Sequence, residues 1–284
     1  SIKAGRLSLK KGRVLSQDDI RLLKDNNILE ITGARLESTD IPENEAAIKL
    51  ASKLAGKGIT LGKAHTGRCN LFSSERGLIM IEAQTIDNLN MINEGVTIGT
   101  LMPYSQVEAG QMVATVKIIP FAISQIIIDQ CLESNLGCDE IISLAQFQHR
   151  KVGFIQSRLP GTKETVLDST TDSLLTRLSN IGSKLASEIR CNHTTNEICD
   201  SIKKLEHLHC SIILIAGASA TVDRKDIVPS GIVAAGGTID HFGMPVDPGN
   251  LLLMAHVEDI DVIGLPGCAR SIKLNGFDWV LRRR

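Results

Sequence analysis

The sequence predicts an α/β fold: a three-layer, mainly parallel sheet domain over residues 151–284, preceded by a mixed α+β domain over residues 1–150. Three observations predict it. From Lys151 onward, short apolar runs alternate with amphipathic stretches, the signature of strand–helix units building a parallel sheet. Ser211 to Ile215 is an almost continuous run of branched residues, as expected for a strand buried on both faces. Three glycine-bearing loops in the last third each follow a predicted strand.

In chain order, Ser16-Gln17-Asp18-Asp19 opens a short helix, with Ser16 as N-cap and Asp19 completing a capping box, and the helix ends near Asn26-Asn27. A second helix runs from near Pro42 to Gly56, with Ala47, Leu50, Ala51 and Leu54 on one face. Segments 78–82 and 96–101 read as strands, and 105–109 with 112–119 as a strand pair around Ala109-Gly110-Gln111. A helix over 124–134 and a turn at Asn135-Leu136-Gly137 follow. In the second half, Val152–Gln156 is a strand. A helix over 168–180 is capped by Asp168 and buries Leu174, Leu175, Leu178 and Ile181. Strand 184–190, helix 196–205, strand 211–215 and helix 226–235 come next. Strands 238–243, 251–257 and 261–264 follow, the last two as an antiparallel hairpin, and a final helix spans 269–281.

Composition bounds the function. Apolar residues make up 43% and charged residues 22%, as in ordinary globular chains, while aromatics are only 3%, so the core must be aliphatic. A formal net charge of −1 argues against a general nucleic-acid or anionic-membrane surface, and neither partner is expected. No apolar run approaches the roughly 20 residues a spanning helix needs; the richest, Ile118 to Ile128, is broken by Pro120, Ser124 and Gln125. No signal-peptide pattern opens the chain. Seven scattered cysteines suit a reducing cytoplasm rather than a disulfide scaffold. Cys191, His193, Cys199, His207, His209 and Cys210 lie close in sequence, yet Cys-x-His followed by His-x-His-Cys matches no structural zinc spacing.

The three loops carry the chemistry. They are Ala216-Gly217-Ala218-Ser219 running on to Asp223 and Asp226, then Gly243 to Asn250, and Gly264-Leu265-Pro266-Gly267-Cys268-Ala269-Arg270-Ser271. In open α/β sheets ligands bind outside the carboxyl ends of strands. Loops there with small residues and free backbone N–H groups describe an anion pocket, most simply for a phosphorylated ligand. Gly217, Gly249 and Gly267 let backbone approach a ligand closely, and Ser219 offers a hydroxyl. Asp223 and Asp226, three apart at a helix start, are a candidate Mg²⁺ pair beside phosphate oxygens. Asp226 reads equally as a helix cap, so Asp223 carries the functional reading. Cys268 would sit at a helix N-terminus, where a dipole favours thiolate, although a packed thiol is the commoner outcome. Ser271, Lys273 and Asn275 would reach an anion from that helix.

The set of loops resembles the molybdopterin-binding domain family: the adenylyltransferases, the molybdotransferases and their competence-damage-inducible relatives. Gly217-Ala218-Ser219 with Asp223 and Asp226-Ile227-Val228-Pro229 resembles the family's glycine loop and D-x-x-P helix start. Asp247-Pro248-Gly249-Asn250 resembles its Pro-Gly loop, and Gly264-Leu265-Pro266-Gly267 its Gly-Leu-Pro-Gly signature. Gly153 to Ser157 and Asp168-Ser169-Thr170 resemble the first strand end and following helix start, so the similarity spans residues 151–282. Gly12 to Ile31 resembles a segment beside this domain in molybdotransferases. The ending Gly267 to Trp279 resembles bacterial fusions in which such a half precedes a molybdenum cofactor cytidylyltransferase.

The resemblance implies a protein of molybdenum cofactor biosynthesis that binds molybdopterin by its phosphate. It implies contacts from Gly217, Ser219, Asp247, Gly249, Asn250, Gly264, Pro266, Gly267, Cys268 and Ser271. It also implies a homo-oligomer and a fused or partner nucleotidyltransferase. Were the chain an enzyme, Asp223 and Asp168 would position Mg²⁺ or reacting groups, for transfer at the phosphate or molybdate insertion. Ala218 in place of the second family glycine, and Cys268-Ala269 in place of Asn-Pro, favour the alternative, a non-catalytic module that presents the cofactor. A nucleotide-binding α/β domain with only architectural likeness is the third reading.

Overall fold

The computed structural model describes residues 2–4, 7–10, 12–134 and 140–284. It divides into two compact units, Ser1–Gln146 and Phe147–Arg284. The predicted turn at Asn135-Leu136-Gly137 lies outside the described residues.

The first unit runs β1 (Ile2–Ala4), β2 (Leu7–Leu9), α1 (Gln17–Asp25), β3 (Asp40–Pro42), α2 (Glu43–Leu54), β4 (Ile59–Leu61), β5 (Arg68–Ser73) and β6 (Gly77–Ile81). It continues through α3 (Ala83–Ile92), β7 (Val96–Thr100), β8 (Gln106–Val107), β9 (Met112–Ile118), β10 (Ala122–Ser124), α4 (Gln125–Glu133) and β11 (Ile142–Gln146). The capping box of α1 forms as the sequence predicts: Ser16 Oγ accepts from the Asp19 N–H, and the Asp19 carboxylate accepts from the Ser16 N–H. Helix α2 buries Ala46, Ala47, Leu50, Ala51 and Leu54 against a sheet of order β4-β5-β9-β7. A second sheet has order β11-β6-β8. The predicted pairing of 105–109 with 112–119 does not form. Gly110, at φ +76°, donates its N–H to the Ser73 carbonyl, and the turn there directs β9 between β5 and β7 while β8 pairs with β6.

The second unit runs β12 (Lys151–Arg158), α5 (Glu164–Asn180), β13 (Lys184–Asn192), α6 (Thr195–His207), β14 (Ile212–Ala216), α7 (Ile227–Ala234), β15 (Thr238–Phe242), β16 (Leu253–Val257) and β17 (Ile260–Gly264). A 3-10 turn (Gly267–Arg270) and α8 (Gly276–Leu281) complete it. One six-stranded sheet has order β13-β12-β14-β17-β16-β15. The first four strands are mutually parallel, and β16 and β15 add on antiparallel. Strand β14 is buried at every residue. Its alternate side chains fill two cores. Ile213 and Ile215 meet Ile198 and Ile202 of α6 and Ile232 of α7 on one face. Ile212 and Leu214 meet Leu174 and Leu178 of α5 and Phe277 of α8 on the other. This is the three-layer α/β arrangement expected from the alternation.

Three sequence readings are corrected here. Helix α5 begins at Glu164, a turn before Asp168, because its inward stripe starts at Leu167 and continues through Thr170, Leu174 and Leu178; Asp168 therefore caps nothing. Leu175 falls off that stripe and is exposed. The final helix begins at Gly276 rather than at 269, since residues 271–274 lie between the 3-10 turn and α8, outside any helix or strand. Buried Arg177 of α5 imposes this path. It donates to the carbonyls of Ala269 (3.0 Å), Ser271 (2.6 Å) and Lys273 (3.3 Å), which a continuous helix would have used internally. Asn275 then restarts the helix with a capping box: its Oδ1 accepts from the Phe277 N–H, and Asp278 accepts from the Asn275 N–H.

Candidate ligand cleft at the strand switch point

Strand β12 has β13 on one side and β14 on the other, so the sheet order reverses between β12 and β14. The crevice at the carboxyl ends of such a pair is where open α/β sheets bind ligands. A cleft of about 240 Å³ opens there, lined by Ala216 at the end of β14 and residues 217–220 after it, Leu265 to Gly267 with Ala269 and Arg270 after β17, and Thr170 of α5.

Two of the three predicted loops converge on this cleft. Gly217, Ser219, Pro266 and Gly267 line it. A Cβ added at Gly267 would meet nothing within 4 Å, so that backbone faces open space. The loop from Gly243 to Asn250 does not line it and is used structurally. Gly249, at φ +125°, lies against the start of α8, where an added Cβ would come within 2.6 Å of the Gly276 nitrogen. Asp247 and Asn250 are exposed, and the Asn250 carbonyl accepts from the Met244 N–H. Gly264 closes β17, where an added Cβ would lie 2.9 Å from Leu253 Cβ of β16, so its smallness serves strand packing.

Cys268 and Ser271 also lie outside the lining. Cys268 sits on a four-residue 3-10 turn, not at an α-helix start, and burial pushes its thiol above the ordinary range. Both features accord with the packed thiol and not with the thiolate alternative. The Ser271 carbonyl is held by Arg177.

The carboxylates are engaged elsewhere. Asp226 is the N-cap residue of α7, but its Oδ2 turns back to accept the N–H groups of Val222 (2.6 Å) and Asp223 (3.0 Å). Exposed Asp223 accepts from the Lys225 N–H at 2.7 Å. Asp168 is exposed on α5 and pairs with Arg190 of β13 at 2.7 Å, in a network with Glu164 and Glu188. None of the three lines the cleft. Among the described residues, no group of three His, Cys, Asp or Glu side chains is arranged to hold a metal ion. Asp223 and Asp226, the pair read from spacing as a Mg²⁺ site, are both turned to backbone N–H groups of their own loop. Cys191, Cys199 and Cys210 are buried free thiols.

The structure adds residues that sequence reasoning missed. Among the described residues that line the cleft, Arg270 is the charged one and none is a carboxylate. Its Nη2 donates to the Gly217 carbonyl at 2.8 Å, tying the two converging loops together. Its position three residues after Gly267 was the available signal. Behind the loops, Ser157 at the end of β12 is only 1% exposed. Its Oγ accepts from the Ala218 N–H at 3.0 Å and contacts His193 Nδ1 at 2.8 Å. His193 Nε2 contacts Ser219 Oγ at 3.0 Å. Burial pushes the His193 pKa below its ordinary value, against a smaller opposing pull from Asp226.

Among solved structures, the chain is similar to the molybdopterin biosynthesis MoeA protein from Pyrococcus horikosii, at 14% identity and a TM-score of 0.36, covering 86% of this chain and 79% of that one. It is also similar to the molybdopterin biosynthesis enzyme MoaB from Thermus thermophilus, at 13% identity and a TM-score of 0.35, covering 47% of this chain and 88% of that one. No family model matches the chain. No curated protein matches it. No helix among the described residues is long and apolar enough to cross a membrane.

Proposed function

We propose that residues 147–284 are a binding module for molybdopterin, acting in molybdenum cofactor biosynthesis and holding the ligand by its phosphate in the switch-point cleft. The observation that carries this reading is the pairing of two motif-bearing loops around a cleft whose charged side chain is Arg270. A guanidinium with hydroxyl and backbone donors in a carboxylate-free cleft suits a phosphate monoester. The motif resemblance across residues 151–282 supplies the pterin. Binding without turnover is favoured over catalysis because the carboxylates of Asp168 and Asp223 lie outside the cleft and already have partners. A fused or partner nucleotidyltransferase would then act on the presented ligand.

Titration of the whole chain with molybdopterin, with and without Mg-ATP or Mg-CTP, tests both parts. The expected result is saturable binding without product, weakened by Arg270→Met. Charge-assisted hydrogen bonds contribute roughly 1.5–3 kcal/mol, so the loss should be about tenfold or more. Absence of binding, or equal affinity in Arg270→Met, would overturn the site; product formation would overturn the non-catalytic reading.

A further inference from the structure

We infer that His193 is a positioning residue of this cleft, part of a one-way hydrogen-bond relay that aims the Ser219 hydroxyl at the bound anion. The inference rests on the phosphate reading of the cleft and identifies which buried groups tune it.

The direction of the relay follows from counting donors. The Ala218 backbone N–H can only donate, so Ser157 Oγ is an acceptor in that 3.0 Å contact. The Ser157 hydroxyl is buried, so its own hydrogen needs an acceptor, and His193 Nδ1 at 2.8 Å supplies one. An imidazole accepting at Nδ1 carries its proton on Nε2 when neutral. That N–H donates to Ser219 Oγ at 3.0 Å. The Ser219 oxygen is thus occupied as an acceptor, and its hydrogen is free to point into the cleft it lines. Bonds running one way along such a chain polarise one another, which strengthens the terminal donor. The opposite order would leave the buried Ser157 hydrogen without an acceptor and turn the Ser219 hydroxyl back towards the ring. The depressed pKa of His193 keeps the ring neutral near pH 7, as the relay requires.

The relay explains why a buried serine on β12, a histidine after β13 and a serine after β14 meet at one point. It also separates His193 from a general base: with its proton on Nε2 it cannot take one from Ser219. The residue acts through Ser219 and does not touch the ligand.

Two measurements on the whole chain test it. In ¹⁵N NMR of the ligand-free protein near pH 7, with His193 assigned by its loss in His193→Gln, the ring should show protonated Nε2 and bare Nδ1. A proton on Nδ1 would overturn the inference whatever the ligand is. Affinity for inorganic phosphate should fall roughly tenfold in Ser219→Ala. It should fall severalfold in Ser157→Ala, although that hydroxyl is buried behind the loop, and Ser157→Thr should restore it. In a Ser219→Ala background, Ser157→Ala should change affinity little, because the relay no longer has an end. An equal loss in both backgrounds would mean that Ser157 merely shapes the loop, and would overturn the relay. Wild-type protein that binds neither phosphate nor molybdopterin would instead overturn the anion reading of the cleft, and this use of the relay with it.

Discussion

Arg177→Met should cost the second unit about 3–5 kcal/mol, because it breaks a buried ion pair from one side. The guanidinium lies 2.8 Å from Asp278, with side chains 5% and 8% exposed, and sits 5.8 Å from the Phe277 ring centre. It also donates to carbonyls of Ser173, Ala269, Ser271 and Lys273. Methionine fills much of the volume but supplies no donor. Asp278 is left with the Asn275 N–H at 2.9 Å. The Ser271 and Lys273 carbonyls belong to exposed residues and can turn to water, whereas Ala269 is buried. The stranded carboxylate therefore dominates the loss. A domain of this size has roughly 5–15 kcal/mol in total, so the variant stays folded at 25 °C only if wild type lies above the bottom of that range. With an m-value of about 2 kcal/mol/M, the urea midpoint should drop by ~2 M. The single tryptophan, Trp279, follows Asp278 on α8, so its fluorescence reports on this unit rather than on the first. Arg177→Met/Asp278→Leu should recover part of the loss, since an apolar pair leaves no stranded charge. A midpoint shift under about 0.5 M, or a double variant less stable than Arg177→Met, would refute the argument.

Three further outcomes follow from the same geometry. Gly267→Val should abolish phosphate binding with a stability within about 0.5 kcal/mol of wild type, whereas Gly249→Val should unfold the unit by forcing a Cβ onto Gly276, as thermal melts would show. His193 has a folded pKa below its unfolded value near 6.5, so the unfolded chain binds the extra proton first. Its contribution is intact above about pH 6.5 and is lost as pH falls from there towards the folded value; His193→Gln should flatten that slope in urea midpoints taken from pH 7 to 5. Asp223→Asn should leave phosphate affinity unchanged, because the Lys225 N–H still finds an acceptor and the residue lies outside the cleft; a tenfold change in isothermal titration would place it in the site.

Patterns confined to a few neighbouring residues were legible in the sequence. The Ser16–Asp19 capping box, the inward face of α2, the fully buried run of β14 and the strand–helix alternation all rest on local periodicity and capping chemistry, which act within a turn or two of chain. The loops after β14 and β17 could be placed at a sheet end for the same reason. Tertiary structure alone decided which loops meet and which polar groups are already used. Arg177 reaches Asp278 across 101 positions and takes carbonyls that a helix from 269 would have kept, so a segment with helical periodicity was held off the helix until Asn275. Asp168 looked like a cap because nothing local showed Arg190, 22 positions on, drawing it into an ion-pair network. Ser157, His193 and Ser219 lie 36 and 26 positions apart, and no periodicity links them. They meet because β12, β13 and β14 are adjacent parallel strands whose carboxyl ends must open at one edge of the sheet, a consequence of strand order that one-dimensional pattern does not contain.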